Sequence, residues 1–175
     1  TFSRQKHWKD TATYLEAVLR FEPAFAVGRI ALADEYRARQ DYDRALTEAR
    51  KALLLQPAFL PVLRERFATL YYLKGDVLSA AGEYDMALEQ YRLALQWRPD
   101  LSPAYNNIGI ILRLQGRRAD ARRSWEMAIR TDPANAQPYY NLAGSYQEAG
   151  DLQTALAYYE PVSYTHLRAH ETGRN

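Results

Sequence analysis

The chain has 175 residues, no cysteine and a formal net charge of +2. Without cysteine it forms neither a disulfide nor a thiolate zinc site. The balanced charge gives no electrostatic case for nucleic acid, and no run of about eighteen apolar residues is present to span a membrane. Hydrophobic residues make up 47% of the chain, which is ample for a core. Thr1 rather than Met opens it, as expected of a piece of something longer.

Residues 1–23 read as the second helix of an incomplete helical pair. Trp8, Thr11, Leu15 and Val18 fall at helical spacing and are expected to be buried, with Pro23 ending the helix. A full pair follows over 26–57, with Leu32, Tyr36, Tyr42, Ala45 and Ala52 as its packing positions. Asp41 is placed to cap the second helix, because a short carboxylate accepts from the free amides of a helix start.

The next pair, 60–99, is longer. Val62, Leu63, Phe67, Leu70, Tyr71 and Val77 keep helical spacing without a turn signal, which predicts one helix from about 61 to 81. Pro61 suits its first turn. The extra turns are expected to be buried rather than to project as a docking edge.

The third pair is 102–133. Tyr105, Ile108 and Leu112 share one face of its first helix, and Ala121, Trp125 and Ala128 one face of its second. Gly116 breaks the pattern between them, and Pro133 stops the pair. Ser102 is expected to cap, with Pro103 at the first helical position. A fourth pair starts at 136 and keeps register to 160 through Tyr139, Leu142, Ala143, Tyr146, Gly150, Leu152, Ala155 and Tyr159.

The pairs are copies of one unit. Pro23 and Pro57 are 34 residues apart, as are Pro99 and Pro133, while Pro57 and Pro99 are 42 apart. Ala45, Ala87, Ala121 and Ala155 recur, as do Ala52, Ala94 and Ala128. Ala33, Gly75, Gly109 and Ala143 are small where two helices cross, since a larger side chain would push the axes apart. Gly82, Gly116 and Gly150 recur in the turn, with Gln40 in the first copy. Tyr91, Trp125 and Tyr159 are expected to fill the gap towards the next copy.

This fixed period resembles the tetratricopeptide repeat. The resemblance implies an all-α, right-handed α–α superhelical solenoid that binds a protein or peptide partner in a concave groove lined by the first helices. It implies that Asp34, Arg37, Tyr72, Asp76, Asn106, Asn107, Arg113, Tyr140, Asn141, Gln147 and Glu148 face that groove. Asn107 and Asn141 occupy equivalent places, 34 residues apart. They resemble the ladder by which some superhelical repeat proteins hold an extended peptide, the amide offering a donor and an acceptor to a peptide bond. Ala31 and Leu73 at the earlier equivalents depart from it, and the lysines of the carboxylate clamp of chaperone-binding members are missing.

No catalytic constellation, cofactor motif or metal site is expected. Arg113, Arg117, Arg118, Arg122, Arg123 and Arg130 form a basic cluster without interleaved aromatics. They are expected on a solvated outer face with local salt bridges, not on nucleic acid.

Two features concern context. Arg4, Trp8 and Asp10 resemble a junction in multi-spanning membrane glycosyltransferases, the family that includes transmembrane, tetratricopeptide-containing mannosyltransferases. That resemblance implies the soluble C-terminal region of an enzyme, facing away from the cytoplasm; a cytoplasmic scaffold is the default otherwise.

The second is the tail. Val162–Thr172 reads VSYTHLRAHET and is similar to one reading frame of a transposase sequencing adapter. Residues 161–175 are therefore expected to be non-native, and His166 and His170 beside Glu171 to be no zinc site. A native chain stopping near Glu160 would leave Leu142, Tyr146 and Ala155 short of cover, which implies self-association through that end.

Overall fold

A computed structural model describes residues 11–160, and every regular element among them is helical. The order is α1 (Thr11–Phe21), α2 (Ala26–Ala38), α3 (Tyr42–Leu55), α4 (Leu60–Ala80), α5 (Tyr84–Trp97), α6 (Ser102–Leu114), α7 (Arg118–Thr131) and α8 (Ala136–Glu148). A further helix, α9, covers 152–160, and a short 3-10 turn, Pro57–Phe59, leads into α4. Helices pair as α2–α3, α4–α5, α6–α7 and α8–α9, and each second helix packs on the first helix of the next pair. The chain is an all-α helical-repeat solenoid.

The same turn closes each pair. The amides of Asp41, Glu83, Arg117 and Asp151 donate to the carbonyls of Tyr36, Leu78, Leu112 and Tyr146 at 2.8–3.0 Å. This bond needs one residue in the left-handed region just before it. Gly82, Gly116 and Gly150 sit there with φ of 79°, 77° and 81°. Gln40 adopts φ 62° in the first pair, without the freedom glycine has. Asp41 caps α3, its side chain accepting from the Arg44 amide at 3.1 Å.

The crossings explain the small residues. A Cβ on Gly75 would meet the ring of Tyr91, and one on Gly109 the indole of Trp125. Each ring comes sixteen residues after its glycine and fills the crossing inside its own pair, not only the gap towards the next. Trp125 is fully buried and donates from Nε1 to the Asn106 carbonyl at 3.2 Å. The recurring alanines 45, 52, 87, 94, 121 and 128 are all 0% exposed.

Helix α4 has 21 residues where α2 has 13. Its added turns lie on the body. Leu63 and Phe67 are buried, Phe67 stacks on Trp97 with centroids 4.5 Å apart, and Glu65 pairs with Arg98 at 2.9 Å. Val62 and Val77, expected on the apolar stripe, are half exposed instead, because the stripe runs through Leu63, Phe67, Leu70 and Tyr71.

Four other expectations change. In α1, Ala12, Leu15 and Leu19 are buried while Thr11 is exposed, so the face is rotated from the Thr11–Leu15–Val18 reading. Ser102 does not cap α6. It is buried inside the helix start, and its hydroxyl donates to the Ala128 carbonyl at 2.9 Å, tying α6 to the end of α7. Arg122 leaves the outer face: it donates to Ser145 Oγ and O at 3.0 Å and lies 4.2 Å over the Tyr146 ring. Leu142 and Ala155 are buried, and Tyr146 stacks on Tyr158 at 5.8 Å, so α9 covers α8. Trp8, the Arg4–Asp10 junction and the 161–175 tail with its histidines lie outside the described residues.

Candidate groove site

The first helices α2, α4, α6 and α8 are linked to one another by side chains. Asp34 on α2 pairs with Arg66 on α4 at 3.0 Å, with Arg37 behind it at 3.9 Å. Asp76 on α4 accepts from Asn107 on α6 at 2.9 Å. Asn106 on α6 accepts from Asn141 on α8 at 2.8 Å. Arg113 on α6 pairs with Glu148 on α8 at 2.9 Å. Nine of the eleven residues expected to face the groove thus stand in or beside the bonds that link one first helix to the next. The other two, Tyr140 and Gln147, meet α9 instead: Tyr140 lies 5.9 Å from the Tyr159 ring, whose hydroxyl donates to Gln147 at 3.3 Å.

The two adjacent asparagines point opposite ways along the stack. Asn107 reaches back to α4, where Asp76 Oδ1 also accepts from the Tyr91 hydroxyl at 2.7 Å. The Asn107 amide nitrogen also lies 3.3 Å from the Tyr91 oxygen and 3.4 Å from that of Tyr72. Asn106, only 7% exposed, reaches forward to α8. Asn107 and Asn141 each spend an amide hydrogen on the protein itself, so they are not a bare ladder.

Burial raises the Tyr91 hydroxyl well above its ordinary range, helped by its bond to Asp76 and by that carboxylate's charge. Burial and the Asp76 charge raise Tyr72 as well. Both therefore stay protonated and donate towards the carboxylate, as a hub around Asp76 requires. Beside it opens a cleft of about 150 Å3 lined by Asp76, Ser79, Tyr91, Asn107 and Ile110. A second cleft of about 320 Å3, between α2 and α4, is lined by Asp34, Arg37, Glu65, Arg66 and Thr69.

Sequence reading missed Ser79, Ile110, Glu65 and Arg66 as groove residues. Ser79 was findable, since it stands in the column of Arg37, Arg113 and Gln147. Glu65 and Arg66 lie in the added turns of α4 and have no equivalents to align. Among the described residues, no group of three or more His, Asp and Glu is placed to hold a metal, and no helix is long and apolar enough to cross a membrane.

Helix pairs in repeated register, turns closed by a left-handed residue and first-helix side chains bonded from pair to pair define a helical-repeat binding protein. Tetratricopeptide-repeat models match at 26–51, 68–101, 104–131 and 124–157. The chain belongs to the tetratricopeptide-repeat family. The match at 68–101 begins just past the added turns of α4.

The protein O-mannosyl-transferase TMTC1 of Homo sapiens is 34% identical over 108 residues, 62% of this chain and 12% of that protein. Tetratricopeptide repeat protein 8 of Mus musculus is 29% identical over 111 residues, 59% of this chain and 22% of that protein. The chain thus spans a small part of the curated relatives it matches. Among solved structures, MamA superposes with a TM-score of 0.65 at 18% identity, covering 91% of this chain and 89% of that one. Pseudomonas aeruginosa PilF does so with a TM-score of 0.59 at 22% identity, covering 86% and 65%.

Proposed function

We propose that the chain is a protein-interaction scaffold whose first helices hold an extended peptide or a protein segment. The observation that carries this is the set of polar side chains, from Asp34 to Glu148, that bond each first helix to the next across α2, α4, α6 and α8. A stack of this kind offers an extended surface rather than an enclosed cavity. Apolar and aromatic contact supplies affinity there, and the few polar groups supply specificity. The test is selection of random dodecapeptides against the immobilised chain, followed by mapping on labelled protein. Binders whose footprint falls on α2, α4, α6 and α8, and which weaken with Asn107→Ala, support the reading. No enrichment, or a footprint on α3, α5 and α7, overturns it.

A second reading is favoured by the TMTC1 similarity. Here the chain is the soluble repeat region of a larger membrane glycosyltransferase, and it presents acceptor proteins to it. The 34% identity supports this, as does the Arg4, Trp8 and Asp10 pattern. Any transfer chemistry would then reside in parts of the protein outside this chain. Sequencing the surrounding gene tests it: apolar helices upstream of Thr1 support the reading, and further repeats there overturn it.

A further inference from the structure

The acidic side chains of the groove are not treated alike. Asp34 has Arg66 and Arg37, Glu65 has Arg98, and Glu148 has Arg113. Asp76 occupies the place equivalent to Asp34, 42 residues on, yet pairs with no lysine or arginine among the described residues. Neither cation of Asp34 has a counterpart here: Arg66, the nearer one, lies in the added turns of α4, and where the first copy has Arg37 the second has Ser79. The bonds from Asn107 and Tyr91 both end on Asp76 Oδ1, and Tyr72 also donates towards the carboxylate, so its partners within the chain are neutral donors. The cleft beside it is lined by Ser79, Asn107 and Ile110, and by Tyr91, which is only 1% exposed. Tyr72, its ring 5.8 Å from that of the buried Tyr91, is the aromatic side chain beside the carboxylate that keeps some exposed surface.

We infer that this cleft is a subsite for a lysine side chain of the peptide held in the groove. The ammonium sits at the Asp76 carboxylate with the Ser79 hydroxyl accepting from it, and the aliphatic stem lies on Ile110. The partner thus supplies the cation that Asp34 receives from Arg66 and Arg37. This rests on the groove reading above for the peptide, but the subsite is testable without one.

The experiment titrates the isotopically labelled 175-residue chain with N-acetyl-lysine-N-methylamide and, separately, with the norleucine analogue. The lysine probe should shift the Asn107 side-chain amide and the Ile110 methyl signals, and the norleucine probe should not. Asp76→Asn keeps an oxygen for the Tyr91 and Asn107 bonds but replaces Oδ2 by a donor. It should weaken the lysine response about tenfold or more, as loss of a charged hydrogen bond does. Ser79→Arg restores an internal cation and should abolish the response even if Asp76→Asn does not fold. Equal shifts with norleucine, no shift with lysine, or a response that survives Ser79→Arg would overturn the subsite. Dodecapeptides that bind the groove equally well with Asp76→Asn would sink the subsite alone. A lysine response without any dodecapeptide binding would sink the groove reading alone.

Discussion

A Cβ built on Gly75 would stand 2.6 Å from Cε1 of Tyr91, closer than real side chains approach. The repeat's small residue is therefore small because a ring of its own pair lies across it.

Gly75→Ala should destabilise the chain by about 1–2 kcal/mol, the overpacking cost exceeding the gain in helix propensity. Gly109→Ala should behave alike, since its Cβ would meet Trp125 Cδ1 at 2.7 Å. Gly144→Ala is the control. Nothing lies within 4 Å of its Cβ, and α8 should gain about 0.5–1 kcal/mol. Urea unfolding of the three variants checks the contrast.

Gln40 holds φ 62° where the other copies use glycine. Gln40→Gly should stabilise by about 0.5 kcal/mol, relief of left-handed strain outweighing glycine's greater freedom when unfolded. Gly116→Ala, the reverse change at φ 77°, should cost about 1 kcal/mol. Thermal melts of both variants should move in opposite directions.

The tyrosines make stability fall in alkali. Tyr91 and Tyr72 hold their protons more tightly when folded, mainly through burial. Below the ordinary tyrosine value of about 10, both states are protonated and the contribution is complete. Above it the unfolded chain releases protons that the folded chain retains, so stability drops as pH rises. Tyr91→Phe should be less stable at pH 8 but lose less between pH 9 and 11. A slope equal to that of the parent would show that Tyr91 does not titrate with unfolding.

Arg122 grips Ser145 twice and covers Tyr146, joining the third pair to the fourth. Arg122→Lys removes the fork and should cost about 1 kcal/mol locally. Amide exchange in α8 should accelerate roughly fivefold while α2 stays unchanged. Uniform acceleration would mean that the repeats unfold as one unit.

Phe67→Ala should cost about 3–4 kcal/mol, because it empties the seat between α4 and Trp97. A loss below about 1 kcal/mol would mean that the added turns detach without consequence.

The period, the turns and the crossings were legible because they depend on residues a fixed distance apart in one pair. Gly75 and Tyr91 show this, and so does Asp41 capping α3. Bonds between pairs were not legible. Arg122 and Arg123 are neighbours in sequence, yet Arg123 pairs with Asp120 at the surface and Arg122 turns inward to α8. A shift of one residue rotates a side chain by about 100° around the helix, which separates the two environments. Ser102 looked like a cap because local chemistry allows it, and the Ala128 carbonyl that claims its hydroxyl is 26 residues away. For the groove, the columns were visible but not their partners: Asn106 and Asn107 shared one face on paper and divide between α8 and α4 in space.

The lengthened α4 also fixes which parts of this chain are interchangeable. The third copy starts and ends at junctions 34 residues apart, so duplicating or excising it whole would rejoin like with like. The second copy has less freedom. Its added turns carry Trp97 and Arg98 with them, but Arg66 is matched to Asp34 in the copy before. The third copy has Ile110 at the place of Asp34. Set behind the third copy, the long helix would keep its stacking partner and lose its ion pair, so unequal crossing-over would multiply the third copy more readily than the second.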